Sequence, residues 1–110
     1  MTDRTEEQTN QFIRKVAEKR GWVPNPDAAF VESLAEGLTV NVNRYGYYLC
    51  PCRDGEGNRS DDTDIVCPCA YAAQDIREYG QCFCGLFLSP EKGRDNPEVA
   101  QIPERRYRQS

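Results

Sequence analysis

Apolar positions in the first half of the chain recur at helical spacing, while in the second half they gather into short clusters between polar stretches. Residues 3–20 predict an amphipathic helix. Phe12, Ile13, Val16 and Ala17 share one face, Glu6 and Glu7 lie in the early turns, and Lys19 and Arg20 lie in the last, so both charge signs complement the helix dipole. Gly21 is the expected stop. Asn25-Pro26-Asp27 predicts a second start, with Asn25 as the cap, Pro26 at the first helical position and Asp27 favourable to the dipole. Phe30, Val31, Leu34, Ala35 and Leu38 then form a stripe, and the helix is expected to run to about Asn43.

Gly46 is the expected turn between that helix and Leu49. Residues 53–64 contain no apolar side chain and many turn formers, which predicts an exposed loop. Ile65 and Val66 return the chain to the core. Ala70 to Tyr79 predicts a short helix with Ile76 and Tyr79 on its inner side, closed by Gly80. Gly85-Leu86-Phe87-Leu88 is an apolar run expected to pack beneath the cysteines, and Ser89 to Ser110 is polar and charged. The expected fold is mainly α, a small single domain over residues 1–90 in which N-terminal helices pack on a layer of loops and short helices. Residues 91–110 are expected to be a loosely attached C-terminal tail.

The length of 110 residues has room for one domain, and its modest apolar content predicts a thin core that needs a covalent or metal-centred staple. No apolar run is long enough to span a bilayer, and Met1 to Glu7 lacks the basic-then-apolar layout of a signal peptide. A cytoplasmic protein that does not engage a membrane is therefore expected. The net charge of −4, without a basic stripe, argues against nucleic acid as a partner. Histidine is absent altogether, so imidazole serves neither as metal ligand nor as general base.

The six cysteines fall as three Cys-x-Cys pairs, Cys50-Pro51-Cys52, Cys67-Pro68-Cys69 and Cys82-Phe83-Cys84. Two sulfurs this close along a backbone make a strained internal disulfide, so they are expected to diverge. Proline between them fixes φ and removes an N–H, which makes the divergence rigid. In a reducing compartment metal binding or catalytic redox chemistry is the better default than structural disulfides. Three chemistries stay open on spacing. A zinc site takes four thiolates and leaves two unexplained, and zinc modules favour wider Cys spacings. A secreted disulfide scaffold takes all six, but the absent signal and the capped helices oppose it. A 4Fe-4S cluster beside a redox-active pair takes all six and explains the grouping.

The order Cys50-Pro51-Cys52-Arg53, Cys67-Pro68-Cys69, then Cys82-Phe83-Cys84-Gly85-Leu86-Phe87-Leu88-Ser89-Pro90 resembles the catalytic subunit of ferredoxin-thioredoxin reductase, in a prokaryotic form. Asn25-Pro26-Asp27 and Asn43-Arg44-Tyr45-Gly46 resemble that family too, so the likeness covers most of residues 10–90. It implies that the loop and short-helix layer holds a 4Fe-4S cluster on Cys50, Cys67, Cys69 and Cys82. It implies that Cys52 and Cys84 are the catalytic pair, with Cys52 attacking the substrate disulfide and Cys84 lying against the cluster. The partners implied are ferredoxin or a similar one-electron donor and a thioredoxin- or glutaredoxin-like acceptor. The rival readings are a non-catalytic zinc or iron-sulfur carrier and an electron-transfer subunit without the exchange step. Plant-type members carry a histidine between the last two cysteines, where this chain has Phe83. Protons must then come from water, from Asp75 or Glu78, or from Tyr71 or Tyr79.

Among lesser features, Tyr45, Tyr47 and Tyr48 are expected to be packing residues, as is Trp22. Arg53 adjoins Cys52, and a nearby cation lowers a thiol pKa. The tail arginines Arg105, Arg106 and Arg108 read as solubilising charge.

Overall fold

The computed structural model describes residues 3–51, 55 and 58–103. Cys52, Arg53 and the tail arginines Arg105, Arg106 and Arg108 lie outside them. The first helix, α1, spans Glu6–Arg20, and the reason it starts at Glu6 is a capping box. Thr5 Oγ1 accepts from the Gln8 N–H at 3.2 Å while Gln8 Oε1 accepts from the Thr5 N–H at 2.9 Å. Gly21 ends the helix at φ 75°, a left-handed conformation that favours glycine. The second helix, α2, spans Ala28–Tyr45 and closes on Gly46 at φ 87°.

The cap of α2 is Asp27 rather than Asn25. Asp27 Oδ1 accepts from the Phe30 N–H at 3.1 Å, and Asn25 is buried and committed elsewhere. Between the helices, β1 (Val23–Pro24) pairs antiparallel with β2 (Phe87–Leu88), Val23 opposite Leu88 and Pro24 opposite Phe87. No strand was expected there, because two residues are too few to show a period of two.

Residues 53–64 are not wholly an exposed loop. A short helix, α3, spans Arg59–Asp62, capped by Asn58, and runs into a 3-10 turn at Thr63–Ile65. Asp62 is fully buried and accepts from the Tyr47 hydroxyl at 2.6 Å. Burial and that hydrogen bond push the Tyr47 phenol up from 10.0 to about 12. A folded-state pKa above the unfolded one gives stability that is complete below pH 10.0 and lost as pH rises through about 12. Tyr47→Phe should therefore be less stable at neutral pH and should lack the tyrosine-linked part of the natural chain's alkaline loss. Unfolding midpoints measured on either side of this window check both.

The next helix, α4, spans Ala72–Tyr79. Its inner face is Ala72, Asp75 and Ile76, whereas Tyr79, expected inside, is only half-buried. The last helix, α5, spans Pro90–Asp95, with Ser89 as its cap. The sequence reading placed this stretch in a loosely attached tail, yet the chain through Ile102 lies against the domain. Gln81 donates to the Ala100 carbonyl at 2.9 Å and accepts from the Ala100 N–H at 2.9 Å, and Ile102 is buried. A buried glutamine needs such partners, and a backbone segment supplies both at once.

The core joins Ile13 and Ala17 of α1, Leu34, Ala35 and Leu38 of α2, Ile65, Ile76, Leu86 and Phe87. Each large aliphatic or aromatic side chain buried there contributes about 1.5–3 kcal/mol relative to exposure. Tyr47 and Tyr48 are buried members of it and Tyr45 packs against it, as expected. Trp22 packs on Phe87 with ring centroids 5.7 Å apart. Among the described residues no helix is long and apolar enough to cross a membrane.

Candidate cysteine redox site

Three separate segments carry the cysteines, and backbone hydrogen bonds tie them together. The Cys50 N–H donates to the Ile65 carbonyl at 3.0 Å, and the Cys67 N–H donates to the Tyr48 carbonyl at 2.7 Å. Leu49 and Val66 form an antiparallel bridge between those bonds. The first two pairs are thus fixed to each other by a short ladder, which satisfies backbone groups that burial would otherwise leave without water. Cys69 accepts from the Ala72 N–H at 3.1 Å, where α4 begins.

The third segment is a tight turn. The Cys82 N–H donates to the Phe87 carbonyl at 3.0 Å and the Gly85 N–H to the Cys82 carbonyl at 2.9 Å. Gly85 has φ 76°, and a Cβ there would lie 3.0 Å from Val99 Cγ1, so both conformation and space demand glycine. Asn25 holds this turn from outside. Its Nδ2 donates to the Gly85 carbonyl at 3.0 Å, its N–H donates to the Leu86 carbonyl at 2.8 Å, and its Oδ1 accepts from the Asp27 N–H at 2.9 Å. Asn25→Ala would leave buried partners unsatisfied and should destabilise the fold by about 1–3 kcal/mol, read as a shift in the denaturant midpoint.

Five of the six cysteines, Cys50, Cys67, Cys69, Cys82 and Cys84, line one recess together with Ala72, Phe83 and Phe87. Cys50, Cys67, Cys69 and Cys82 are buried, whereas Cys84 is partly exposed. The expected ligand set is thereby separated by burial from the one member of the expected redox pair that is described. Cys52, the other member, lies outside the described residues.

Cys82 and Cys84 stand with their sulfurs 3.9 Å apart. Contact with Cys84, followed by the Phe87 and Leu86 N–H groups, holds Cys82 below the ordinary thiol range although burial pushes the other way. The Phe87 N–H reaches Cys82 Sγ at 3.3 Å. A thiolate is the form that binds a metal, so these donors favour the state a ligand needs. Sequence reasoning placed Phe87 beneath the cysteines but did not identify its backbone as a donor to sulfur, for which a residue name carries no signal.

Among the described residues no group of three or more His, Cys, Asp or Glu side chains converges as ligands of one metal ion. The sulfurs surround a recess instead. Of the expected proton sources, Asp75 is fully buried, Glu78 is exposed and Tyr79 is half-buried. Tyr71 is buried and donates to Asp64 Oδ2 at 2.5 Å.

Comparison with known proteins bears on this arrangement. The profile of the family described as ferredoxin thioredoxin reductase catalytic beta chain matches residues 1–108. The ferredoxin-thioredoxin reductase catalytic chain of Pyropia yezoensis is 31% identical over 87 residues, covering 77% of this chain and 72% of the relative. The chloroplastic catalytic chain of Spinacia oleracea is 30% identical over 92 residues, 82% of this chain and 60% of the relative. That of a Synechocystis strain is 34% identical over 67 residues, 59% of this chain and 53% of the relative. With a family match that runs through all three cysteine segments and the helices that hold them, the chain belongs to the ferredoxin thioredoxin reductase catalytic beta chain family of oxidoreductases.

Proposed function

We propose that this chain is a disulfide reductase in which Cys50, Cys67, Cys69 and Cys82 hold a 4Fe-4S cluster and Cys52 and Cys84 form the redox-active pair. The observation that carries the reading is the recess, where four buried cysteines and one partly exposed cysteine, drawn from three segments, face a common apolar space. An all-sulfur set of soft donors suits iron-sulfur chemistry. A zinc site would also take four thiolates but would leave Cys52 and Cys84 without a role, whereas a 4Fe-4S cluster beside a redox-active pair uses all six cysteines. When bound, the cluster supplies electrons one at a time to a couple that needs two.

The chain's own residues do the thiol chemistry. Cys52, as thiolate, attacks one sulfur of the target disulfide, so that a mixed disulfide forms and the target's other sulfur leaves as a thiolate that takes a proton. Cys84 then attacks Cys52 Sγ, releasing the second target thiolate, which also takes a proton, and closing the Cys52–Cys84 disulfide. Two one-electron deliveries and two protons return that bridge to the dithiol. Phe83, Phe87 and Ala72 keep the recess apolar, which limits access of water to the buried sulfurs. The relatives' names supply the partner classes, ferredoxin as donor and thioredoxin as acceptor, and a reducing compartment such as the cytoplasm suits free thiols.

The test is an anaerobic assay with reduced ferredoxin as donor and oxidised thioredoxin as target. New thiols should appear on thioredoxin with the intact chain. None should appear after selective alkylation of Cys52 in the reduced protein, with iron retained. A chain that keeps its iron but reduces no disulfide would be an electron carrier or a metal-binding module instead.

A further inference from the structure

Glycine inside a helix is unfavourable relative to alanine because it loses more backbone freedom on folding. Gly37 stands in the middle of α2, and the structure supplies a reason for it. A Cβ at Gly37 would lie 3.0 Å from Pro51 Cβ and 3.8 Å from Pro51 Cγ. Ordinary carbon contacts begin near 3.5 Å, so the first of these is too close. The ring of Pro51 cannot swing aside, because its φ is locked. Relief must come from a small shift of α2 or of the turn that carries Cys50 and Pro51, and either changes how the two fit together.

One helical turn further along the same face, Asn41 Nδ2 donates to the Leu49 carbonyl at 2.8 Å. On their other side the same residues are held by the ladder from Cys50 to Ile65 and from Tyr48 to Cys67. The first cysteine turn is therefore clamped between α2 and the second cysteine segment.

We propose that Gly37 and Asn41 form a positioning platform that fixes how the Cys50-Pro51-Cys52 turn is presented, and through it the reactivity of Cys52. The inference rests on the reading of Cys52 as the attacking thiol. Among the described residues Gly37 faces Pro51 and Asn41 bonds the Leu49 carbonyl, so both act through the turn. Thiol exchange depends on access and alignment of the attacking sulfur, and a displacement of 1 Å at a reacting group costs on the order of a hundredfold in rate. A few tenths of an ångström at Pro51 should cost about tenfold.

A purely structural role for these residues makes a different forecast. Alanine is the better helix former, so Gly37→Ala in a merely structural position would raise or preserve the melting temperature and leave thiol chemistry alone. The experiment compares the natural iron-loaded chain with Gly37→Ala, Asn41→Leu and, as a control on an exposed position of the same helix, Val40→Ala. The readouts are iron content, melting temperature, the rate of Cys52 alkylation by iodoacetamide located by peptide mass, and kcat and KM for thioredoxin reduction.

Gly37→Ala and Asn41→Leu should each change the Cys52 alkylation rate and lower kcat by about tenfold, with KM and iron content unchanged. Val40→Ala should match the natural chain. Unaltered Cys52 alkylation in both platform variants would overturn the proposal, as would a loss of kcat that merely tracks loss of iron. If the natural chain reduces no disulfide, the reading of Cys52 and Cys84 as a catalytic pair fails separately. The alkylation comparison then still decides the platform, a shift supporting it and no shift overturning it.

Discussion

Cys52→Ser should keep its iron while its rate of target reduction falls by on the order of a thousandfold or more. The separation follows from where the sulfurs stand. Cys50, Cys67, Cys69 and Cys82 are buried around one recess, and in the proposed assignment they are the four cluster ligands, without Cys52. A serine hydroxyl at position 52 has the size of the thiol but neither its acidity nor its capacity to form a disulfide bond, so the mixed disulfide cannot form. Cys84 remains in this variant, yet it is half-shielded and adjoins Cys82 at 3.9 Å, so it does not substitute as the attacking group. Iron analysis and the anaerobic thioredoxin assay on the same preparation check both halves of the expectation.

Cys67→Ser should lose the metal centre and, with it, much of the folded state. Cys67 is buried, its segment forms the ladder with Tyr48 and Leu49, and its turn leads into Cys69 and α4. A hydroxyl at this position stays protonated and binds iron poorly, which leaves the centre one donor short. Metal-ligand binding in small domains contributes on the order of 10 kcal/mol or more to folding, comparable to the whole stability of about 5–15 kcal/mol expected for a domain. The rest of the core is small, drawn from two long helices and a few residues around Phe87, and does not replace a loss of that size. The variant should show little iron and a broad, low-temperature melt by circular dichroism. Equal iron loss in Cys52→Ser and Cys67→Ser would remove the division between ligands and redox pair.

The parts of this fold legible in the sequence are those governed by local chemistry. The apolar stripes of α1 and α2, the left-handed stops at Gly21, Gly46 and Gly80, and the burial of Leu86-Phe87-Leu88 all follow from spacing and residue type. The gathering of the cysteines was legible because three Cys-x-Cys pairs within one stretch have few uses other than a common site. What escaped was decided by partners far along the chain. Asn25 and Asp27 are both good helix caps, and the choice fell to Asp27 because Gly85 and Leu86, some sixty residues away, claim Asn25. Asp62 reads as one more charge in a polar loop, and the hydrogen bond from the Tyr47 hydroxyl, which helps make its burial tolerable, comes from a residue fifteen positions away. Glycine at position 37 runs against helix preference, and its reason is Pro51, a neighbour in space that lies fourteen residues along the chain.

The central claim is that four cysteines bind a cluster while two exchange between thiol and disulfide. It is tested most directly by iron and sulfide analysis of anaerobically purified chain, together with free-thiol counts before and after mild reduction. The account predicts about four iron and four sulfide per chain, with two additional thiols on reduction, located at Cys52 and Cys84. One zinc without sulfide, or iron with no thiols released by reduction, would contradict it.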